Sequence, residues 1–286
     1  MVTIIKSILR FSLARRFALA RVQPLLRIID MQKIKYDPME IAIEMAMHKT
    51  LFPWTYCCFT RRPEELDRWV KVSGLERLTP LLGTGRGVLL AANHHGPGHM
   101  IDIFLAAQGY KVNILQARYP VYRRRMRYAV PEINMCINNI FTRLDSSPGM
   151  MQTMINIRDL LRRGEIVITA LDGYQGEASL TLKLMGHEHD FRFAMPLIAS
   201  LSNAIIVPVY VFLKTDGHIE IRFETPLPEQ RPDQSPHEYA KDIMNTYAIL
   251  LQNHMEMKPG NIRMERLWFL RNKIGLFHII FGNYYR

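Results

Sequence analysis

Three histidines fall within six residues of this chain, in the segment His94-His95-Gly96-Pro97-Gly98-His99. Imidazole ionises near neutrality, so such a cluster suits general-base chemistry, metal binding, or plain hydrogen bonding within a turn. A base needs an acid to orient it. Asp102 lies three residues after His99, on the same face of a helix that runs through both, and this spacing predicts a His94–His99–Asp102 relay. Asp172 is a second acid, closing an apolar stretch ahead of Gly173; it reads equally as a turn or cap residue. Glu177, in a glycine-containing loop, is a weaker candidate.

The elements around these residues point to an α/β protein. Val88 to Ala92 form an apolar run of strand length between Gly87 and Asn93. Gly96 and Pro97 break that run, and Pro97 suits the first position of the next helix. Met100, Ile103, Phe104 and Ala107 recur at helical spacing until Gly109. The histidines therefore sit at the carboxyl end of a central strand, where open α/β sheets place their chemistry. A second block, Asn156 to Asp172, repeats the order: an amphipathic helix, Gly164 as a stop, and a buried strand ending in an acid. Ala194 to Ser202 reads as a small-residue helix, Ile205 to Tyr210 and His218 to Phe223 as strands, and Glu229 to His237 as a polar loop before a last amphipathic helix.

The order and spacing of these blocks resemble the lysophospholipid-acyltransferase-like superfamily, in its branch of bacterial lipid A late acyltransferases. That branch carries a strand, His-Phe-Gly-Asn-Trp-Glu, a helix ending in Arg-Gly-Tyr, and a strand ending in Tyr-Arg-Pro. Here His94 to His99 fills the first block, followed by Gln108-Gly109-Tyr110 and Gln116-Ala117-Arg118-Tyr119-Pro120. Leu184-Met185-Gly186 stands for an apolar patch with Phe-Phe-Gly, and Val207-Pro208-Val209 for Val-Pro-Val. The resemblance spans roughly Arg68 to Arg271. It implies a single domain with a mostly parallel mixed sheet flanked by helices. It also implies transfer of a fatty acyl group from an acyl-carrier-protein or coenzyme A thioester to a lipid or glycolipid acceptor. His94 falls on the family's general base. The motif carboxylate five residues later is replaced by His99, and the relay to Asp102 would have to stand in for it, with Asp172 a second acid near the site. The same departure fits a non-catalytic lipid-binding relative. The substrate-binding candidates are His95, Arg118, Arg123 and Gly186. Arg118 and the cluster Arg123-Arg124-Arg125 suit the phosphates of a headgroup, a coenzyme or a phosphopantetheine arm.

Composition bounds the alternatives. At 286 residues, with no repeat or linker, one domain suffices. Cys57, Cys58 and Cys136 have no metal-ligand spacing and read as reduced thiols. The net charge of +11 suits anionic surfaces, but no helix-turn-helix, zinc or RNA-recognition signature points to nucleic acid. The segment 1–30 mixes Ile, Leu and Phe with Arg10, Arg15, Arg16, Arg21 and Arg27. It has neither a spanning apolar run nor a cleavable leader pattern, and reads as a basic amphipathic helix in the headgroup plane, or as core packing. The remaining domain, 31–286, ends in an aromatic and cationic segment, about 266–286, that suits the same interface. With these features, the resemblance implies a protein on the cytoplasmic face of the inner membrane, against anionic lipids. No cofactor is implied. His94-x4-His99 with His187-x-His189 is similar in spacing to the histidine boxes of membrane di-iron desaturases, which need more boxes and spanning helices; His187 to Asp190 reads instead as a surface turn.

Overall fold

Apolar runs of strand length alternating with amphipathic helices dictate a parallel sheet covered on its faces by helices. The computed structural model has this form and describes residues 12–27, 29, 37–116, 129–141, 147–173 and 179–263. Its strands are β1 (Val70–Ser73), β2 (Val88–Ala92), β3 (Val112–Gln116), β4 (Ile137–Phe141), β5 (Ile166–Ala170), β6 (Ser179–Leu184), β7 (His187–Arg192), β8 (Ile205–Leu213) and β9 (Ile219–Phe223). The α-helices are α1 (Ser12–Leu26), α2 (Pro38–Arg61), α3 (Leu66–Trp69), α4 (Leu75–Leu82), α5 (Met100–Ala107), α6 (Pro131–Cys136), α7 (Ser147–Arg162), α8 (Ala194–Leu201) and α9 (Pro236–Met257).

The seven-stranded sheet runs β1-β9-β8-β2-β5-β3-β4. Every pairing is parallel except that of β8 with β9. The strands β6 and β7 form a separate antiparallel hairpin. The period of two divides β2 between two cores: Val88, Leu90 and Ala92 pack on the α5 side, Leu89 and Ala91 on the α7, α8 and α9 side. Burial on both faces is why β2 and β8 are continuous apolar runs rather than alternating ones. Each fully buried leucine or isoleucine here contributes about 1.5–3 kcal/mol.

Apart from Asp102, helix α5 is apolar on all sides because it is wedged between the sheet, α2 and α6. It starts at Met100, three residues later than the sequence suggests. Pro97 stays in the preceding turn, where its carbonyl accepts from the Met100 amide at 2.9 Å. Helix α9 opens with a capping box: the Glu238 amide donates to Ser235 Oγ, and the Ser235 amide to Glu238 Oε2. The two terminal segments expected at a membrane are seen only in part. Helix α1 buries Val22 and Leu25 in the core and exposes Arg15 and Arg16, so part of its apolar face is committed to the protein. Residues 1–11 and 266–286 lie outside the described residues. Among the described residues no helix is long and apolar enough to cross a membrane. The expected surface turn at His187–Asp190 is instead strand β7, with His189 buried at 3 % exposure.

Candidate active site

Strands β2 and β5 are parallel neighbours in which Ala92 pairs with Ala170. The ladder runs one bond further, from the Leu171 amide to the Ala92 carbonyl at 3.0 Å. Both chains then leave the sheet, with His94 and Asp172 each two positions beyond the paired alanines. Their side chains meet: His94 Nδ1 lies 2.7 Å from Asp172 Oδ1. The His94 backbone amide also donates to the carboxylate, at 3.1 Å to Oδ1 and 2.9 Å to Oδ2.

Burial alone would raise the Asp172 carboxyl's pKa. The His94 imidazole, with His95 and the His94 amide behind it, outweighs that penalty and holds Asp172 well below the usual carboxylate range. Against an ionised acid, His94 carries its proton on Nδ1, which leaves the lone pair on Nε2. That nitrogen has no hydrogen-bond partner among the described residues. The His94 side chain is 29 % exposed and Asp172 only 3 %. A half-open imidazole backed by a buried carboxylate is the general-base arrangement of a catalytic triad, with the nucleophile left to the substrate.

The turn is held from behind by a short 3₁₀ segment, Pro259–Asn261. The Gly96 amide donates to the Asn261 carbonyl at 2.9 Å. The Asn261 side chain accepts from the Leu213 amide at 2.7 Å and donates to the Leu213 carbonyl at 3.0 Å. Gly96 has φ +64°, and a Cβ there would stand 1.9 Å from the Val211 carbonyl oxygen, so only glycine fits. A cavity of about 10 Å³, room for a single water, is all that separates His95, Tyr210, His254 and Asn261 on this side.

The other sequence candidates fall into different places. His99 does not reach back to His94: its Nε2 lies 3.1 Å from Thr55 Oγ1 on α2. The relay through His99 is not formed, because the ring nitrogen it needs on His94 faces Asp172. Asp102 is buried in the first turn of α5. His95, expected against substrate, is buried and turned toward Asp172, with Nε2 at 3.5 Å from Oδ2. Gly186 lies in the β6–β7 hairpin turn with φ +77°, next to Met185 at +52°, and this turn geometry accounts for the glycine. Arg118, Arg123 and Glu177 lie outside the described residues.

Two features escape a reading by motif. Asn261 sits 167 residues from His94 in sequence, beyond the last helix, and no local pattern marks it. His189 is packed edge-on to Phe191 with both ring nitrogens buried and, among the described residues, without a hydrogen-bond partner; burial pushes its pKa down against the pull of Asp172 and Asp190. Among the described residues no group of three His, Cys, Asp or Glu side chains is arranged to hold a metal.

No curated protein matches the chain. A family-level match exists: the profile of the bacterial lipid A biosynthesis acyltransferases covers residues 45–257, which includes β2, β5, the histidine turn and Asp172. This span is most of the chain, and the protein belongs to the bacterial lipid A biosynthesis acyltransferase family.

Proposed function

We propose that the protein transfers a fatty acyl group from an acyl-carrier-protein or coenzyme A thioester to a hydroxyl of a membrane lipid or glycolipid, with His94 as general base and Asp172 as the acid that orients it. The observation that carries this reading is the 2.7 Å contact between His94 Nδ1 and Asp172 Oδ1, which leaves Nε2 for substrate. Nε2 takes the acceptor's hydroxyl proton as the oxygen attacks the thioester carbon. The C–O bond forms, the C–S bond breaks, and the imidazolium returns its proton to the leaving thiolate. Asp172 stabilises the imidazolium between those two transfers. General-base assistance of this kind contributes about a hundred- to ten-thousand-fold.

The family motif's missing acid, replaced by His99, would favour an inactive lipid-binding relative if nothing else supplied the charge. Asp172 supplies it from the neighbouring strand. The exposed cations of α1, Arg15 and Arg16, suit a protein resting on the anionic cytoplasmic face of the inner membrane. Arg118 and Arg123 are the proposed contacts to the phosphates of donor or acceptor.

The test is direct. Purified protein is incubated with fatty acyl-coenzyme A and acyl-carrier-protein thioesters, with and without glycolipid acceptor. Release of thiol and mass spectrometry of the lipid are then followed. Acceptor-dependent thiol release with a matching gain of lipid mass supports the transferase. Lipid binding without thiol release supports the non-catalytic relative.

A further inference from the structure

The proposed chemistry leaves His95 without a task, and its surroundings are built. The side chain is 8 % exposed. A neutral imidazole has one donor and one acceptor nitrogen, and which is which follows from its partners. The Arg263 backbone amide donates to His95 Nδ1 at 3.1 Å. An amide cannot accept, so Nδ1 must hold the lone pair and Nε2 the proton. Nε2 lies 3.5 Å from Asp172 Oδ2, longer than an ordinary hydrogen bond but within reach of an electrostatic pull on that oxygen. The His94 ring engages the other oxygen, Oδ1.

The parts that set this tautomer are themselves held. The His95 amide donates to Asn93 Oδ1 at 2.9 Å, which fixes the backbone of the turn. Arg263 follows directly on the segment whose Asn261 carbonyl takes the Gly96 amide and whose Asn261 side chain grips both backbone groups of Leu213. The Ile262 amide donates to the Pro259 carbonyl at 3.1 Å, so the chain reaches Arg263 in a fixed turn. The family resembled in sequence carries phenylalanine where this chain has His95.

We propose that His95 is a positioning residue for the acid: locked as the Nε2–H tautomer by the Arg263 amide, it directs that N–H at Asp172 Oδ2 and so fixes the carboxylate against His94. The inference rests on the reading of His94 and Asp172 as base and orienting acid. Two consequences follow. With the donor removed, the carboxylate is less firmly held and its charge concentrates on Oδ1, which strengthens the His94 imidazole's hold on a proton. The acid limb of kcat/KM then moves to higher pH. A carboxylate displaced by a fraction of an ångström lowers kcat without changing how substrate binds.

The experiment uses the full chain, fatty acyl-coenzyme A as donor and glycolipid as acceptor, with His95→Phe, His95→Gln and, as reference, His94→Ala. His95→Phe should lower kcat about ten- to a hundredfold, leave both KM values within error, and shift the acid limb upward. His95→Gln, whose amide also donates, should recover part of kcat and of the pH shift. In ¹⁵N-histidine NMR of the unmodified protein, His95 should show a protonated Nε2 and an unprotonated Nδ1. Unchanged kcat and pH profile in His95→Phe, or a rise in KM alone, would overturn the proposal. So would an Nδ1-protonated His95 in the unmodified protein, a result that stands even if His95→Phe does not fold. Full activity in His94→Ala would instead remove the general-base reading, whatever tautomer His95 holds.

Discussion

His94 and Asp172 stand side by side because Ala92 and Ala170 are paired in register, and each residue follows its alanine by two positions. A parallel ladder keeps equal steps on both strands. The first residues free of the sheet at its carboxyl edge therefore emerge together. The contact between imidazole and carboxylate is thus set by the backbone, and the His94 amide N–H, shared between both Asp172 carboxylate oxygens, reinforces it.

Asp172→Asn is expected to cut kcat by about 10⁴-fold, because an amide neither stabilises the imidazolium nor selects the Nδ1–H tautomer. The double variant His94→Ala/Asp172→Asn should be no slower than the more damaged single variant, since the two act as one unit. Thiol release measured for the three variants checks both statements. Additive losses would show that the residues act separately.

His99→Glu is expected to give no gain in rate, although it places a carboxylate where the family's motif has one. The His94 nitrogen such an acid would need is already bonded to Asp172, and His99 faces Thr55 instead. Initial rates of the variant and the parent decide this; a faster His99→Glu enzyme would place the operative acid at position 99, before α5, and not at Asp172.

Much of this was legible in the sequence, for reasons that differ by residue. The run Val88–Ala92 and the acid at the end of Ile166–Ala170 were visible because two-sided burial forces continuous apolar strands. His94 and Asp172 could each be named from that pattern. Their partnership could not, since it depends on β5 lying next to β2, and strands 78 residues apart carry no local mark of adjacency. The relay through His99 failed for a related reason. Sequence spacing suggested it, but helix α5 begins only at Met100, and the turn before it sends His99 toward α2. Asn261 was invisible because its partners, Gly96 and Leu213, come from two distant parts of the chain.

Asn261→Ala is expected to destabilise the fold and disturb the site together. The change strips the buried Leu213 amide and carbonyl of their side-chain partner, at a cost of about 1–3 kcal/mol for each group left unsatisfied. The backbone bond from Gly96 remains, but the segment that presents the Arg263 amide to His95 loses its anchor. Urea denaturation should show the loss of stability, and kcat should fall while KM is preserved. A stable variant with normal kcat would show that the 3₁₀ segment holds the turn without this side chain.

Membrane attachment is expected to depend on the exposed cations of the first helix. Deleting residues 1–30 is a poor test, because Val22, Leu25 and Ile29 belong to the core. Replacing Arg15, Arg16 and Arg27, all exposed, by glutamate leaves that packing intact. Each basic residue near an anionic bilayer contributes about 1 kcal/mol, so the triple change should weaken binding to phosphatidylglycerol vesicles by at least about a hundredfold at low salt. Sedimentation with phosphatidylcholine vesicles should be unaffected. Equal binding of parent and variant to anionic vesicles would remove α1 from the membrane contact.

Acidification is expected to destabilise the protein in two stages, and His254, together with the buried His189, accounts for the first. His254 is buried at 6 % side-chain exposure, stacked on Tyr210 with ring centroids 3.5 Å apart and close to Phe212. Burial, then the Arg222 charge, push its pKa down to about 4, while Glu224 at 3.1 Å from Nε2 pulls the other way. The unfolded chain takes up this proton near pH 6.5, the folded chain only near about 4. Between those values the unfolded state binds more protons, so stability falls as pH falls, by about 3 kcal/mol at most from this group. Asp172 adds the second stage. Its carboxyl is depressed in the folded state, so the stability it contributes is present above about pH 4, the ordinary aspartate value, and is lost below it. His254→Gln should weaken the dependence between about pH 6.5 and 4, leaving the share due to His189, and leave the decline below that range. Urea midpoints at a series of pH values separate the stages. A His254→Gln curve parallel to that of the parent throughout would show that His254 does not contribute to the first.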